Sequence, residues 1–250
     1  MRHIQINIEN SESINKVLGT VFSLFREDNI DNSSCSNDLF NAIMSIHAYE
    51  SANISLAKQE DVCAFLLQNK DTNKIIEQIE NAVCNSEELR PMKQIVSYFL
   101  DEMVCNMQQH SKSEKGFAFA KYNTDLRTID LCLADKGITI YGSFIEKQLY
   151  LDLIGNSDAQ ALSLAKDGYS TKNLPNAENR GYGISSNAKL IVEGLGGVFS
   201  IMSGNALLLY DKTTINIFEL PESLEWSGTL VIARIPVDIP ESFNFYKYIS

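Results

Sequence analysis

From Pro91 to His110 the chain sets Met92, Ile95, Val96, Phe99, Leu100, Met103, Val104 and Met107 in a sustained three-four alternation. Nearly five turns of amphipathic helix follow from that spacing. Such a helix is stable only against an apolar surface, and the next residues supply one. Runs 116–123 and 128–134 read as strands joined by the polar turn Thr124–Arg127, as in an antiparallel hairpin. A glycine-bearing break at Asp135–Gly142 leads to helical stretches over 143–154 and 157–167, then to a polar loop, 168–181. A helix over 184–194 is closed by Gly194, Gly196 and Gly197. Strands follow at 198–203, 205–210, 213–219 and 228–236. The order predicts an α+β fold, a two-layer α/β sandwich whose mixed, mostly antiparallel sheet is covered on one face by helices. Strands and helices do not alternate regularly, which excludes a doubly wound dinucleotide-binding sheet.

The N-terminal part has a different texture. Residues 3–9 alternate as a short strand, and 12–26 place Ile14, Val17, Leu18, Val21, Phe22 and Phe25 at helical spacing. Further helices are expected at 38–48 and 72–90, while 53–67 can be read as strand or as apolar run. Pro91 suits the first turn of a new helix and marks a boundary. Residues 1–90 then form a mainly helical region suited to sensing or partner binding, and 91–250 a second domain. His3 and His47 stand alone and read as structural or surface residues.

Charge removes whole classes of function. Thirty-two acidic residues against 21 basic ones give a net charge of −11, which opposes binding to nucleic acid or to an anionic membrane surface. No run approaches the ~20 apolar residues that cross a bilayer, and MRHIQINIEN lacks the layout of a signal peptide. Cys35, Cys63, Cys84, Cys105 and Cys132 are odd in number and scattered. They suggest free thiols in a reducing cytoplasm rather than a disulfide framework or zinc site.

Four short patterns carry chemistry. Glu102 and Asn106 lie four residues apart at the margin of the long helix's apolar stripe, so their side chains share one edge. Polar groups there are costly unless something polar faces them; a divalent metal on Asn106 and a water on Glu102 would serve. His110, a further turn on, suits the helix C-terminus. Asp135 ends an apolar strand with Gly137 two residues later, where a carboxylate can accept from an exocyclic amine and the glycine admits a flat ring. Asn179-Arg-Gly-Tyr-Gly-Ile184 puts two glycines beside a helix start, an arrangement suited to phosphate oxygens. Arg180 and, upstream, Lys172 add cations. Ser227-Gly228-Thr229 opens the last strand.

In series, E-x-x-x-N on a helix, D-x-G after a strand, G-x-G before a helix and G-T before a closing strand resemble the GHKL superfamily. That is the ATP-binding domain shared by DNA gyrase B, its chaperone relative, sensor histidine kinases and MutL proteins. The resemblance covers about residues 91–236, and "NRGYGI" and "GGVFSIMSGN" look most like the histidine-kinase and anti-sigma-factor branch. It implies a Bergerat-type fold with ATP and Mg²⁺. Glu102 would polarise the attacking water or hydroxyl, and Asn106 would ligate the metal. Asp135 would accept from the adenine amino group, with Gly137 making room and Thr229 adding a water-mediated contact. Gly181 and Gly183 would meet the phosphates beneath a lid, 168–180, from which Lys172 and Arg180 are candidate phosphate contacts. Thr139 departs from the pattern, standing where the family's D-x-G-x-G has its second glycine. No transducer domain is expected in the fourteen residues after 236, and His47 lacks the flanking residues of a phosphoacceptor. The resemblance implies a cytoplasmic Mg²⁺-dependent ATP-binding protein with slow hydrolysis or ATP-driven conformational switching. Alternatives are an anti-sigma-type serine kinase acting on a partner protein and a nucleotide-sensing interaction module without chemistry. ATP or ADP and a protein partner are the expected ligands. Homodimers are common in the superfamily, though no self-complementary surface is readable.

Overall fold

The computed structural model describes residues 62–67, 72–171, 182–220 and 225–249. The elements expected at 3–9, 12–26 and 38–48, with His3 and His47, lie outside these residues. So do Lys172, Arg180 and Gly181.

The long periodic segment folds as expected. A single 3₁₀ turn, Arg90–Met92, carries Pro91 near its start and leads into α2, Lys93–His110. Its buried residues are Ile95, Val96, Phe99, Leu100, Met103, Val104 and Met107, the three-four stripe itself. Before it come β1, Val62–Leu66, and α1, Thr72–Val83. The helix expected over 72–90 therefore stops at Val83, and the ambiguous 53–67 segment contains a strand.

The hairpin forms from β2, Lys115–Asn123, and β3, Thr128–Asp135. Then come α3, Ile140–Lys147, the short α4, Leu151–Ile154, and α5, Asp158–Lys166. Helix α6, Tyr182–Lys189, runs into a π turn, Leu190–Gly194. Strands β4 (Val198–Gly204), β5 (Ala206–Tyr210), β6 (Ile215–Glu219) and β7 (Trp226–Pro236) follow, with a last helical turn, α7, Tyr246–Ile249.

The result is an α+β architecture. Seven strands form one sheet in the order β1-β2-β3-β7-β4-β5-β6. Every pairing among the described residues is antiparallel, where a mixed sheet was expected. Pro91 opens a helix, but the sheet and the core run across it: β1 pairs with β2, and Ile76, Ile79 and Val83 share one core with α2.

Register explains which residues meet the helices. Ile129, Leu131 and Leu133 of β3 belong to the core with α1, α2, α6 and Leu162 of α5. The alternate residues, Asp130, Cys132 and Ala134, point to the opposite face, and there Phe117, Phe119, Cys132 and Ile232 are also buried. Both faces of the central strands are thus shielded, so β3 reads as an apolar run rather than an alternation. The buried charge on that face is paired: Asp130 stands opposite Arg234 and accepts from Nε at 2.7 Å and Nη2 at 3.0 Å.

Candidate functional site

The C-terminal end of β3, the last turns of α2, the start of α3 and the start of α6 converge on one pocket of about 100 Å³. Its wall includes Asn106, His110, Asp135, Thr139, Thr171, Gly183 and Thr229. Asp135, Asn106, Gly183 and Thr229, read separately along the sequence, therefore meet in space. Glu102 stands beside this pocket rather than in its wall, one helical turn before Asn106.

Asp135 is the buried polar end of an otherwise apolar strand, 2 % exposed. Its Oδ1 accepts the main-chain N–H of Gly137 at 2.9 Å, and the N–H of Thr229 also donates to the carboxylate. Burial nevertheless dominates and pushes its pKa up to about 7, while the two donors and the charge of Lys136 pull the other way. Gly137 is required by close approach: a Cβ there would fall 1.7 Å from the Ser111 carbonyl oxygen. That carbonyl accepts from Ile138 N–H at 2.6 Å, tying the D-x-G turn to the end of α2. Gly228 closes the other side, its φ of +90° and its contacts with Asp135 leaving no room for a side chain. Trp226 Nε1 donates to the Asp135 carbonyl at 3.1 Å, with Lys136 Nζ over the indole ring.

Thr139 has an ordinary extended backbone, φ −72° and ψ 170°. Its Oγ1 accepts from Gly142 N–H at 3.0 Å and so N-caps α3. The threonine in place of the second glycine therefore starts a helix at Ile140, three residues earlier in the break than the sequence suggests.

Across the pocket, Gly183 in the first turn of α6 packs on the polar edge of α2. A Cβ at Gly183 would lie 2.6 Å from Glu102 Oε2 and 3.1 Å from Asn106 Nδ2. One turn on, Asn187 donates Nδ2 to the Gly183 carbonyl at 2.8 Å, while its buried Oδ1 has no partner among the described residues. Among the described residues no three His, Cys, Asp or Glu side chains converge as a metal cage. Asn106 and Glu102 are oxygen donors of the kind that could hold a hydrated divalent cation.

Sequence reasoning missed three contributors. Ser203, 1 % exposed, accepts from Ile140 N–H at 2.9 Å and donates to the Gly228 carbonyl at 2.9 Å. With its proton so placed, it accepts from Thr229 Oγ1 at 3.2 Å, joining α3, β4 and β7. Thr171 Oγ1 lies 3.0 Å from His110 Nδ1 and 2.9 Å from Ser143 Oγ, both in the pocket wall. No motif marks these hydroxyls; only the cap position of His110 hinted that the end of α2 mattered.

No family model matches the sequence, and no curated protein matches it. Among the described residues no helix is long and apolar enough to cross a membrane.

Proposed function

We propose that the chain is a Mg²⁺-dependent ATP-binding protein with a Bergerat-type nucleotide site of the GHKL kind, nearest the histidine-kinase and anti-sigma-factor branch. One observation carries this reading. A buried carboxylate at a strand end, Asp135, faces the same pocket as Asn106, which shares the Gly183 contact with Glu102. An apolar pocket with one deep acceptor suits a flat heterocycle bearing an amine, and an amide-carboxylate edge at the pocket's other end suits phosphate-bound magnesium.

In this reading Asp135 accepts from the exocyclic amine of the base; Gly137, expected to make room for the ring, instead admits the Ser111 main chain, which ties the turn to α2. Thr229, held by Ser203, orients the same end. Asn106 would hold Mg²⁺ through its carboxamide oxygen, and the metal's chemistry there is to neutralise phosphate charge. Glu102 orients a water and accepts its proton as the new P–O bond forms and ADP leaves with the bridging oxygen. Lys172 and Arg180 are proposed phosphate contacts on charge and sequence position alone, as is Gly181 on its place beside α6.

Hydrolysis is proposed to be slow, serving a conformational switch read by a protein partner. The free thiols Cys84, Cys105 and Cys132 suit a reducing compartment, and we place the protein in the cytoplasm. Calorimetric titration of the full chain with Mg·ATP tests the assignment: micromolar to millimolar binding, abolished by Asp135→Ala, is expected. Wild-type protein that takes up no heat with Mg·ATP, Mg·ADP or adenosine overturns it.

A further inference from the structure

Three polar side chains from three separate parts of the chain meet in the pocket wall. His110 is the last residue of α2, Ser143 lies in the first turn of α3, and Thr171 follows α5. Thr171 Oγ1 stands 3.0 Å from His110 Nδ1 and 2.9 Å from Ser143 Oγ, so one hydroxyl joins the other two groups. Ser143 is 6 % and Thr171 7 % exposed. Buried hydroxyls are costly without partners, and these supply one another in a pocket also lined by Met103, Met107, Phe144 and Ala165. Together the two bonds link the end of α2 to the start of α3.

Local structure delivers Thr171 to this place. Just after α5, Gly168 has φ +91°, which lets the backbone turn back. Its N–H donates to the Ala165 carbonyl at 3.1 Å, and Tyr169 N–H donates to the Leu164 carbonyl at 3.0 Å, so the helix end is closed. Tyr169 then sets its ring edge-on to Tyr150, centroids 5.1 Å apart, and Tyr150 does the same with Phe144 at 5.9 Å. Ser143 and Phe144 are neighbours in α3. The segment therefore meets α3 twice, through an aromatic row and through the Ser143–Thr171 bond. His110 is held from its main-chain side as well. The carbonyl of Ser111, the next residue, accepts from Ile138 N–H at 2.6 Å, beside the turn that carries Asp135. The imidazole thus stands at the Asp135 end of the pocket, its backbone fixed through Ser111 and its ring through Thr171.

We propose that Thr171 is a positioning residue that acts through His110: its hydroxyl, backed by Ser143, fixes the imidazole as a wall of the base end and so sets how tightly the pocket takes a flat heterocycle. The role rests on the nucleotide reading above. A histidine ring held only by its own Cβ turns about two torsions, and a bond at Nδ1 removes that freedom. The bond survives a change of tautomer. Thr171 either donates to Nδ1 and accepts from Ser143, or accepts from Nδ1–H and donates to Ser143. A wall fixed in advance leaves less ordering to be done when the ligand enters, so loss of this hydroxyl shows in affinity. Glu102 lies two turns back along α2, roughly 12 Å in helix rise, so turnover of bound ATP does not depend on Thr171. No sequence motif assigns Thr171 or Ser143 to the site.

The test uses the full chain and compares Thr171→Val, Thr171→Ser and Ser143→Ala with wild type. Thr171→Val keeps the size and branching of the side chain and removes its hydrogen bonds, whereas Thr171→Ser keeps the hydroxyl. Each is measured for adenosine affinity by calorimetry and for phosphate release at saturating Mg·ATP. The His110 ring is followed without ligand by imidazole nitrogen NMR. In Thr171→Val the Kd for adenosine should rise about tenfold, while kcat stays within about twofold of wild type. Its His110 signals should move toward those of a free imidazole. Thr171→Ser should restore both affinity and signals, and Ser143→Ala, which removes only the second link, should fall between. If wild type binds adenosine and Thr171→Val binds it equally well, the positioning role is wrong and the nucleotide site stands. Equal losses in the valine and serine variants, unmoved His110 signals in Thr171→Val, or a parallel loss of kcat overturn the role as well. If wild type binds neither adenosine nor Mg·ATP, both readings fall together.

Discussion

Gly137 donates its main-chain N–H to Asp135 Oδ1 across 2.9 Å, so the residue whose missing side chain admits the Ser111 carbonyl also solvates the carboxylate. That bond and the one from Thr229 do not offset burial, and the pKa of Asp135 stands near 7. The folded chain therefore holds a proton that the unfolded chain releases near the ordinary Asp value of 3.8. Between those two values the native state binds more protons, so this group makes stability fall as pH rises from about 4 to about 7. Above that window its contribution is constant. The measurable quantity is the difference in Tm between wild type and Asp135→Asn across a pH series. It should move against wild type from pH 4 to 7 and then level off; a difference that does not vary with pH contradicts the burial argument.

The same proton couples to ligand. A base amine donating to Asp135 favours the ionised carboxylate, so binding should release a proton near neutrality. Affinity for adenosine, which brings no titrating phosphate, should be about tenfold weaker at pH 6 than at pH 8. Calorimetry in buffers of different ionisation enthalpy reads the proton directly. Because His110 shares the pocket wall, the titration is repeated with His110→Gln, and the proton release should persist.

Gly183 and Gly137 look alike in the sequence but should fail differently. A methyl at Gly183 would press on Glu102 Oε2 and Asn106 Nδ2, the ends of two side chains that can rotate away. Gly183→Ala should fold with little loss of stability yet lose most Mg²⁺-dependent nucleotide affinity. A methyl at Gly137 would meet the Ser111 main chain, which cannot yield without breaking the tie to Ile138. Gly137→Ala should lose about 3 kcal/mol. Urea denaturation and Mg·ATP titration of the two variants separate the outcomes.

Which of these features the sequence reveals depends on how local their causes are. Helix α2 was legible because its stripe repeats within the chain, and the hairpin because its turn is short and polar. Asp135, Asn106 and Gly183 were legible as members of a spaced series. Strand β1 was not, since an apolar run of its length suits helix or strand until a partner is known. The extension of shielding to both faces of β3 was equally hidden, because it depends on register with β2 and β7. Thr139 is legible only as a departure from the glycine pattern; that its hydroxyl begins α3 depends on the Gly142 N–H it meets in the fold. Ser203 lies 63 residues from Ile140, whose N–H it accepts, and no local pattern announces a contact of that range.

Thr139 yields a modest and separable effect. Its Oγ1 takes the Gly142 N–H, one of the orphan donors of α3. Thr139→Ala should destabilise the protein by about 1 kcal/mol. Because its backbone is ordinary extended chain, Thr139→Gly should not enlarge the site through any relief of strain. Equal adenosine affinity in wild type and Thr139→Gly is therefore expected, and a markedly tighter glycine variant would show that the threonine crowds the ring.

The Asp130–Arg234 pair sets the scale for what lies outside the site. Asp130 is fully buried and held by two of the three guanidinium nitrogens, Nε at 2.7 Å and Nη2 at 3.0 Å, directly across the β3–β7 ladder. Removing Arg234 leaves a carboxylate in an apolar layer with less to compensate it, which costs about 3–5 kcal/mol. Arg234→Met should therefore lower stability by that amount in urea unfolding. The double variant Asp130→Val/Arg234→Met should recover much of the loss, since matched apolar residues need no charge compensation. The pair lies four residues along β3 from Ala134 and on the face away from α2. Folded Asp130→Val/Arg234→Met protein should accordingly bind Mg·ATP as wild type does, and a change in its Kd would mean that this ladder, not only the pocket wall, positions Asp135.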